Sequence, residues 1–362
     1  MGRALFLIAT ILITVGLCFW FWKDGNYTIE VPGIESVISI PFANKQNLTD
    51  SLSPVNKIAE PTVSSNLAQY SFGALKKRNY PGSEIILERK LKVEDGYISY
   101  LFSFTTDGKK VTGQANIPKS ARHATQGAAV GKAGRFPVVV MVRGYVDREV
   151  YETGIGTRKA ASRFAENGFI TLAPDFLGFG GSDWESPDIL ESRFEKPITV
   201  LNLLASASSL PQADTQNLFL WGHSNGGQII LSVLEISGKA IPTALWAPVT
   251  RGFPESVTGY VGEMEDEGNM VIASIAAFTK VYDPDDFSIS NYVSDINAEI
   301  QFHQGTFDPL IKTEWTTGFV EKLRGLGKSA SLFTYPRDDH NLSRNWDTVV
   351  ERDLVFFKKH LE

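Results

Sequence analysis

Leu218-Phe219-Leu220-Trp221-Gly222-His223-Ser224-Asn225-Gly226-Gly227 is an apolar run that halts at a Gly-x-Ser-x-Gly pentapeptide, and Gln228-Ile229-Ile230-Leu231-Ser232-Val233-Leu234-Glu235 then resumes with helix-like character. A strand, a sharp turn and a helix in that order make a nucleophile elbow, which lifts a serine hydroxyl above a sheet. Glycines two residues to either side of Ser224 are needed because the tight turn leaves no room for Cβ atoms. The same turn sets the backbone N–H of Asn225 at a helix start, where developing negative charge is favoured. The pentapeptide alone is also what an ordinary glycine-rich turn looks like, so its weight depends on its company.

An activated serine needs a base within hydrogen-bond reach and a carboxylate to orient that base, in the chain order Ser, Asp or Glu, His. Downstream of Ser224, and apart from the C-terminal His360, the chain has His303 and His340. His303 lies in the strand-like run Glu299-Ile-Gln-Phe-His303-Gln-Gly, so its side chain is expected to pack against a helix. His340 lies in the polar loop Arg337-Asp338-Asp339-His340-Asn341, ahead of the last helix, and is the candidate base. For the acid, Gln304-Gly305-Thr306-Phe307-Asp308-Pro309 directly follows a strand, and Asp308 is the candidate; the alternative is an Asx-type turn built by Asp308 and Pro309. Asp338 and Asp339 are too close in sequence to His340 to reach the far side of its ring and read as loop or cap residues. A second oxyanion donor is expected after an earlier strand. Phe136 to Val142 is continuously apolar and ends in Arg143-Gly144-Tyr145, which makes the backbone N–H of Tyr145 the candidate, unless that tyrosine merely packs on a cap.

Together with Phe104-Thr-Thr-Asp-Gly108, Pro137-Val-Val-Val-Met-Val-Arg-Gly144-Tyr, Ala173-Pro-Asp-Phe-Leu-Gly-Phe-Gly-Gly-Ser182, His303-Gln-Gly-Thr-Phe-Asp308 and Asp339-His340, the elbow resembles the catalytic domain of the prolyl oligopeptidase family of α/β-hydrolases, over about residues 80–362. That resemblance implies an α/β-hydrolase fold and a Ser224, Asp308, His340 triad, without fixing peptidase over esterase. The chain departs from the family in two ways. Arg143-Gly144 stands where the family has His-Gly, and the β-propeller that many members carry is absent, so dipeptidyl specificity does not carry over.

Composition narrows the setting. The chain has 362 residues, 43% of them hydrophobic and 21% charged, which is ordinary for a globular protein. Its net charge of −6 argues against a nucleic-acid partner. Ala4 to Trp22 carries no charge and ends in Phe19-Trp-Phe-Trp22, long enough to span a hydrocarbon core of about 30 Å and lacking a small-residue cleavage site. The expectation is a membrane anchor over residues 1–23, with the membrane engaged by residues 4–22 and the body of the chain outside the cytoplasm, as in a bacterial envelope. The single cysteine, Cys18, lies in that span and excludes an intrachain disulfide.

Residues 24–78 mix Ser, Asn, Pro and Thr without a sustained period and read as a stalk. Residues 79–362 then form the catalytic domain. Alternating patterns near 84–88, 96–104 and 111–117 predict an antiparallel edge. From Phe136 onward strands at 136–142, 169–174, 217–221, 241–247, 299–303 and 329–335 alternate with helices, which implies a mostly parallel central sheet flanked by helices. Residues 248–298, with the acidic run Glu263 to Gly268, read in part as a lid over Ser224, or else as a plain helical excursion. No metal-ligand cluster and no phosphate loop is evident, so no metal and no cofactor is expected. The leading reading is a serine peptidase acting on short peptides; a carboxylesterase with the same triad is the alternative, and a non-catalytic binding protein of the same fold stands behind both.

Overall fold

The structure is a computed structural model; it describes residues 66–119, 134–263 and 268–361, and three strands near the N-terminus. The chain divides into two compact units, residues 1–59 and 60–362.

In the first unit, β1 (Phe19–Lys23), β2 (Asn26–Glu30) and β3 (Ile38–Pro41) pair as an antiparallel sheet. Phe19 to Trp22, expected as the end of a membrane-spanning helix, is therefore strand, with Trp22 opposite Tyr27. Aromatic residues suit a pleated surface, which is why the same run reads either way. Residues 4–18 of the expected anchor lie outside the described residues. Among the described residues no helix is long and apolar enough to cross a membrane.

The second unit is built on a nine-stranded sheet. Its strands are β4 (Ile86–Val93), β5 (Tyr97–Thr106), β6 (Lys109–Pro118), β7 (Phe136–Val142), β8 (Ile170–Pro174), β9 (Ala213–His223), β10 (Thr243–Trp246), β11 (Ile300–Gly305) and β12 (Ala330–Tyr335), ordered β12-β11-β10-β9-β7-β8-β6-β5-β4. β4, β5, β6 and β8 pair antiparallel, whereas β8 through β7, β9, β10 and β11 to β12 is parallel throughout. The predicted strands from residue 136 onward fall within these bounds or a few residues of them. The chain leaves β7 for β8 on one side and returns to β9 on the other, so strand order reverses at β7. In open parallel sheets such a reversal opens a crevice at the carboxyl ends of the strands, where ligands bind.

All seven residues of β7 are buried, and alternation splits them between two layers. Val138, Val140 and Val142 share one core with α4 (Lys196–Ser206) and α5 (Asn225–Ser237). Val139 and Met141 share the other with Phe164 of α2 (Arg158–Glu166) and Phe357 of α9 (Trp346–Lys359). α8 (Thr313–Gly325) packs on β11 through Phe319, whose ring centroid lies 6.2 Å from that of Phe302.

Two parts differ from expectation or extend it. The stalk reading fails for residues 66–78: Leu67, Phe72 and Leu75, the last two on the short helix α1 (Phe72–Lys77), are buried in the second unit. Leu67 N–H donates to the Tyr282 hydroxyl at 3.1 Å, and Tyr70 donates to Glu191 of α3 (Ile189–Phe194) at 2.8 Å. Six helical residues carry too little periodicity to announce a buried face. The stretch between β10 and β11 folds into α6 (Glu255–Thr258), α7 (Asn269–Phe278) and short 3-10 turns. Its Phe253, Phe278 and Phe287 surround Phe194 of α3 with ring centroids 5.0–5.8 Å apart. The acidic side chains from Glu263 to Glu267 lie outside the described residues.

Candidate active site

Every predicted site residue emerges at the carboxyl end of the parallel strands. Ser224 follows β9 directly and adopts φ 55°, ψ −123°, a left-handed conformation that costs a non-glycine residue roughly 1–3 kcal/mol. Hydrogen bonds on both sides hold it there: Ser224 N–H donates to Trp246 O at 2.9 Å, and the Ser224 carbonyl accepts from Gly227 and Val249, each at 3.0 Å. α5 can start so close to β7 only because position 226 lacks a side chain, since a Cβ on Gly226 would lie 2.1 Å from the Val142 carbonyl oxygen. The Asn225 N–H thereby sits on the first residue of a 13-residue helix.

His340 and Asp308 meet as the chain order predicts. His340 Nδ1 lies 2.8 Å from Asp308 Oδ2. The other oxygen of Asp308 accepts from Leu310 N–H at 2.8 Å and Ile311 N–H at 2.9 Å, and Gln304 Nε2 donates to Oδ2 at 3.1 Å. Burial works to raise this carboxyl. The His340 hydrogen bond and charge, with the two backbone N–H groups, outweigh it, and the net effect holds Asp308 below the usual carboxylate range. An ionised carboxylate only accepts, so Nδ1 carries a proton, and in the neutral tautomer of His340 the lone pair is then on Nε2. Asp308 also forms the Asx-type turn offered as its alternative; the two roles use different oxygens.

Asp338 and Asp339 build the loop that carries His340. Asp338 is fully buried and accepts from Asp339, Arg344 and Asn345 N–H groups, all at 3.0 Å, while Asp339 accepts from Asn341 and Ser343. Gly305 lets this loop close on the Asp308 turn, because a Cβ there would meet the carbonyl oxygens of Asp338 and Asp339 at 2.5 Å. His303 is buried between Tyr335, at 2.7 Å from Nδ1, and Asp353 of α9, at 3.0 Å from Nε2, and so packs against a helix as expected.

Gly144 brings the loop after β7 against the elbow: a Cβ on it would sit 3.0 Å from Ser224 Cβ. Tyr145 follows, its hydroxyl donating to Asp147 at 2.8 Å and its ring largely exposed, so any role at the site falls to its backbone.

Two residues near the serine escaped sequence reasoning. His223, the variable residue of the pentapeptide, sets Nε2 3.0 Å from the His340 carbonyl and its ring 4.7 Å from the His340 ring. A carbonyl only accepts, so Nε2 carries the proton; burial, then the adjacent His340, holds His223 down to about 4 and keeps it neutral. Arg143 is also buried. Its Nη1 donates to Gly144 O at 2.9 Å and its Nη2 to Asp175 O at 3.2 Å, and its guanidinium is 4.5 Å from the Tyr151 ring centroid and 4.4 Å from that of Phe179. The departure from His-Gly flagged the position, but nothing in the sequence named what the arginine would hold.

No protein-family model and no curated protein matches the chain. Among solved structures it is similar to acetyl xylan esterase 1 from Thermoanaerobacterium sp. JW/SL YS485, with TM-score 0.54 and 15% identity over 83% of this chain and 95% of that one. An acetyl xylan esterase from Paenibacillus sp. R4 gives TM-score 0.56 and 15% identity over 80% of this chain and 92% of that one. A puromycin-hydrolyzing peptidase from Mycobacterium tuberculosis gives TM-score 0.55 and 15% identity over 75% of this chain and 41% of that one. At such identities the likeness shows the fold, which is the α/β-hydrolase fold.

Proposed function

We propose that the chain is a serine hydrolase that moves an acyl group first to Ser224 and then to water. The observation that carries this reading is the His340–Asp308 pair, 2.8 Å apart, with the His340 ring 4.7 Å from that of His223, the residue before the positive-φ Ser224 of the elbow. Ser224 Oγ attacks the acyl carbon while His340 Nε2 takes its proton. The tetrahedral oxyanion is met by the N–H of Asn225 and the N–H of Tyr145. His340 then returns the proton to the leaving group, and water repeats the sequence on the acyl-enzyme, releasing the acid and restoring the serine. Asp308 keeps the imidazole in the tautomer that leaves Nε2 basic.

Arg143 belongs to this reading as a positioning residue. A trans peptide sets N–H opposite C=O, so a guanidinium that holds the Gly144 carbonyl also fixes the direction of the Tyr145 N–H. A histidine at this position could not span both the Gly144 and Asp175 carbonyls, which supports reading Arg143 as a replacement with a bracing role rather than a lost function.

Short peptides remain the substrate class favoured by the resemblance to the prolyl oligopeptidase family. An ester reading has its own support, since the chain spans nearly the whole of the two esterases and under half of the peptidase. Comparing kcat/KM for aminoacyl-peptide amides and for aryl esters on purified protein separates the two. Amide turnover within about two orders of magnitude of ester turnover supports the peptidase, and ester turnover alone supports the esterase.

A further inference from the structure

Beneath the segment between β10 and β11 lies a cavity of about 50 Å³ lined by Asn225, the residue after Ser224, and walled by Phe194, Phe253 and Phe287. Apolar walls suit the body of a small organic group. Two of the polar side chains among its lining are cationic. Arg193, the penultimate residue of α3, and Lys196, the first residue of α4, both face this space.

Neither cation has a carboxylate partner among the described residues. Arg193 Nη2 donates to Gln228 Oε1 at 2.6 Å and reaches the carbonyl and hydroxyl of Ser256 at 3.4 Å, all neutral groups. Gln228 is itself anchored through the Arg251 carbonyl at 3.0 Å. The guanidinium is thus held in place, and no carboxylate among the described residues pairs with it. Glu185 and Glu195 act on Lys196 from a distance, but Glu185 pairs with Arg148, and Glu195 turns to Lys109 at 3.8 Å. Burial, with Arg193 adding like charge, holds Lys196 down to about 8, so it is still largely charged at neutral pH. Its position at the start of α4 opposes the helix dipole, which favours anions there. Two half-buried cations side by side, with no carboxylate partner among the described residues, repel one another and carry a desolvation cost.

We propose that this cavity receives a carboxylate carried by the substrate, on its acyl or its leaving-group side, which makes the enzyme a hydrolase of anionic substrates. The inference rests on the serine-hydrolase reading and gives its substrate class. A planar guanidinium offers a carboxylate paired N–H donors, and the neighbouring ammonium adds a point charge. The apolar walls hold the short chain between that carboxylate and the scissile carbonyl, and Asn225, which lines the cavity, carries the oxyanion donor that the carbonyl has to reach.

The test uses two matched pairs of activated aryl esters with the full chain. One pair is para-nitrophenyl hydrogen glutarate against para-nitrophenyl pentanoate, which places the charge on the acyl side. The other is para-acetoxybenzoate against phenyl acetate, which places it on the leaving group. The charged member is expected to have the higher kcat/KM in at least one pair. Lys196→Met is expected to lower that charged-to-neutral ratio ~10–100-fold, the value of a charge-assisted hydrogen bond, with Lys196→Arg restoring most of it. Because Arg193 also braces Gln228 and Ser256, Arg193→Lys is the second variant and is read by the same ratio. Equal rates within both pairs, or a ratio that Lys196→Met leaves unchanged, overturns the anion site. Labelling by a fluorophosphonate in the same samples separates this from failure of the parent reading: unlabelled protein that hydrolyses none of the four esters overturns both.

Discussion

His340 Nδ1 lies 2.8 Å from Asp308 Oδ2, and the carboxylate is sealed from solvent while the imidazole remains 12% exposed. The buried carboxylate thus holds a partly exposed imidazole by Nδ1. Ser224→Ala and His340→Ala are each expected to lower kcat by roughly ten-thousand-fold or more, and Asp308→Asn by somewhat less. The double mutant should be little worse than either single. Steady-state kinetics on freshly folded protein checks this; losses that multiply would show that Ser224 and His340 do not act together.

Arg143→Lys removes the fork that holds the Gly144 and Asp175 carbonyls at once. The expected result is a fall in kcat of ~10–100-fold with KM changed little, because an oxyanion donor that drifts weakens the transition state more than substrate binding. An unchanged kcat alongside a lower melting temperature would make Arg143 a packing residue only.

His223 gives a signed pH prediction. Its folded pKa, about 4, lies below the unfolded value near 6.5, so the unfolded chain binds the proton more readily. Stability is therefore expected to fall as pH drops from about 6.5 towards 4, on top of whatever other groups contribute. His223→Gln keeps a donor for the His340 carbonyl without the titration. The chemical denaturation midpoint of the wild type should fall relative to that of His223→Gln as pH drops through that window, and parallel curves would contradict the assignment.

Leu67, Phe72 and Leu75 set the start of the second compact unit. Protein beginning at residue 60 is expected to keep the wild-type melting temperature of this unit, whereas protein beginning at residue 79 should lose several degrees or fail to fold. Leu67→Ala in the longer form should cost about 2–5 kcal/mol in a denaturant titration. Equal stability of the two truncations would return residues 66–78 to the stalk.

What the sequence disclosed and what it hid follow from the range of each signal. Ser224, Asp308 and His340 were legible because each sits in a short local pattern, glycine turn or strand-ending loop, whose order along the chain is restricted. The parallel strands were legible as apolar runs. Arg143 and His223 stood in view, yet what they hold depends on contacts with Asp175 and His340, 32 and 117 residues away. The cavity at Arg193 and Lys196 is a product of tertiary packing among α3, α5 and the β10–β11 segment, and no window of sequence contains it. The aromatic run at Phe19–Trp22 was misread because length and hydropathy alone do not separate strand from helix.

An activated nucleophile at Ser224 is the premise of the proposed chemistry. Folded protein should be incubated with a fluorophosphonate and the adduct located by peptide mass spectrometry. The account predicts one adduct per chain, on Ser224, forming at a rate that drops sharply in His340→Ala and is abolished by prior unfolding. An unmodified Ser224 in folded protein, or an adduct that forms equally fast without His340, would contradict it.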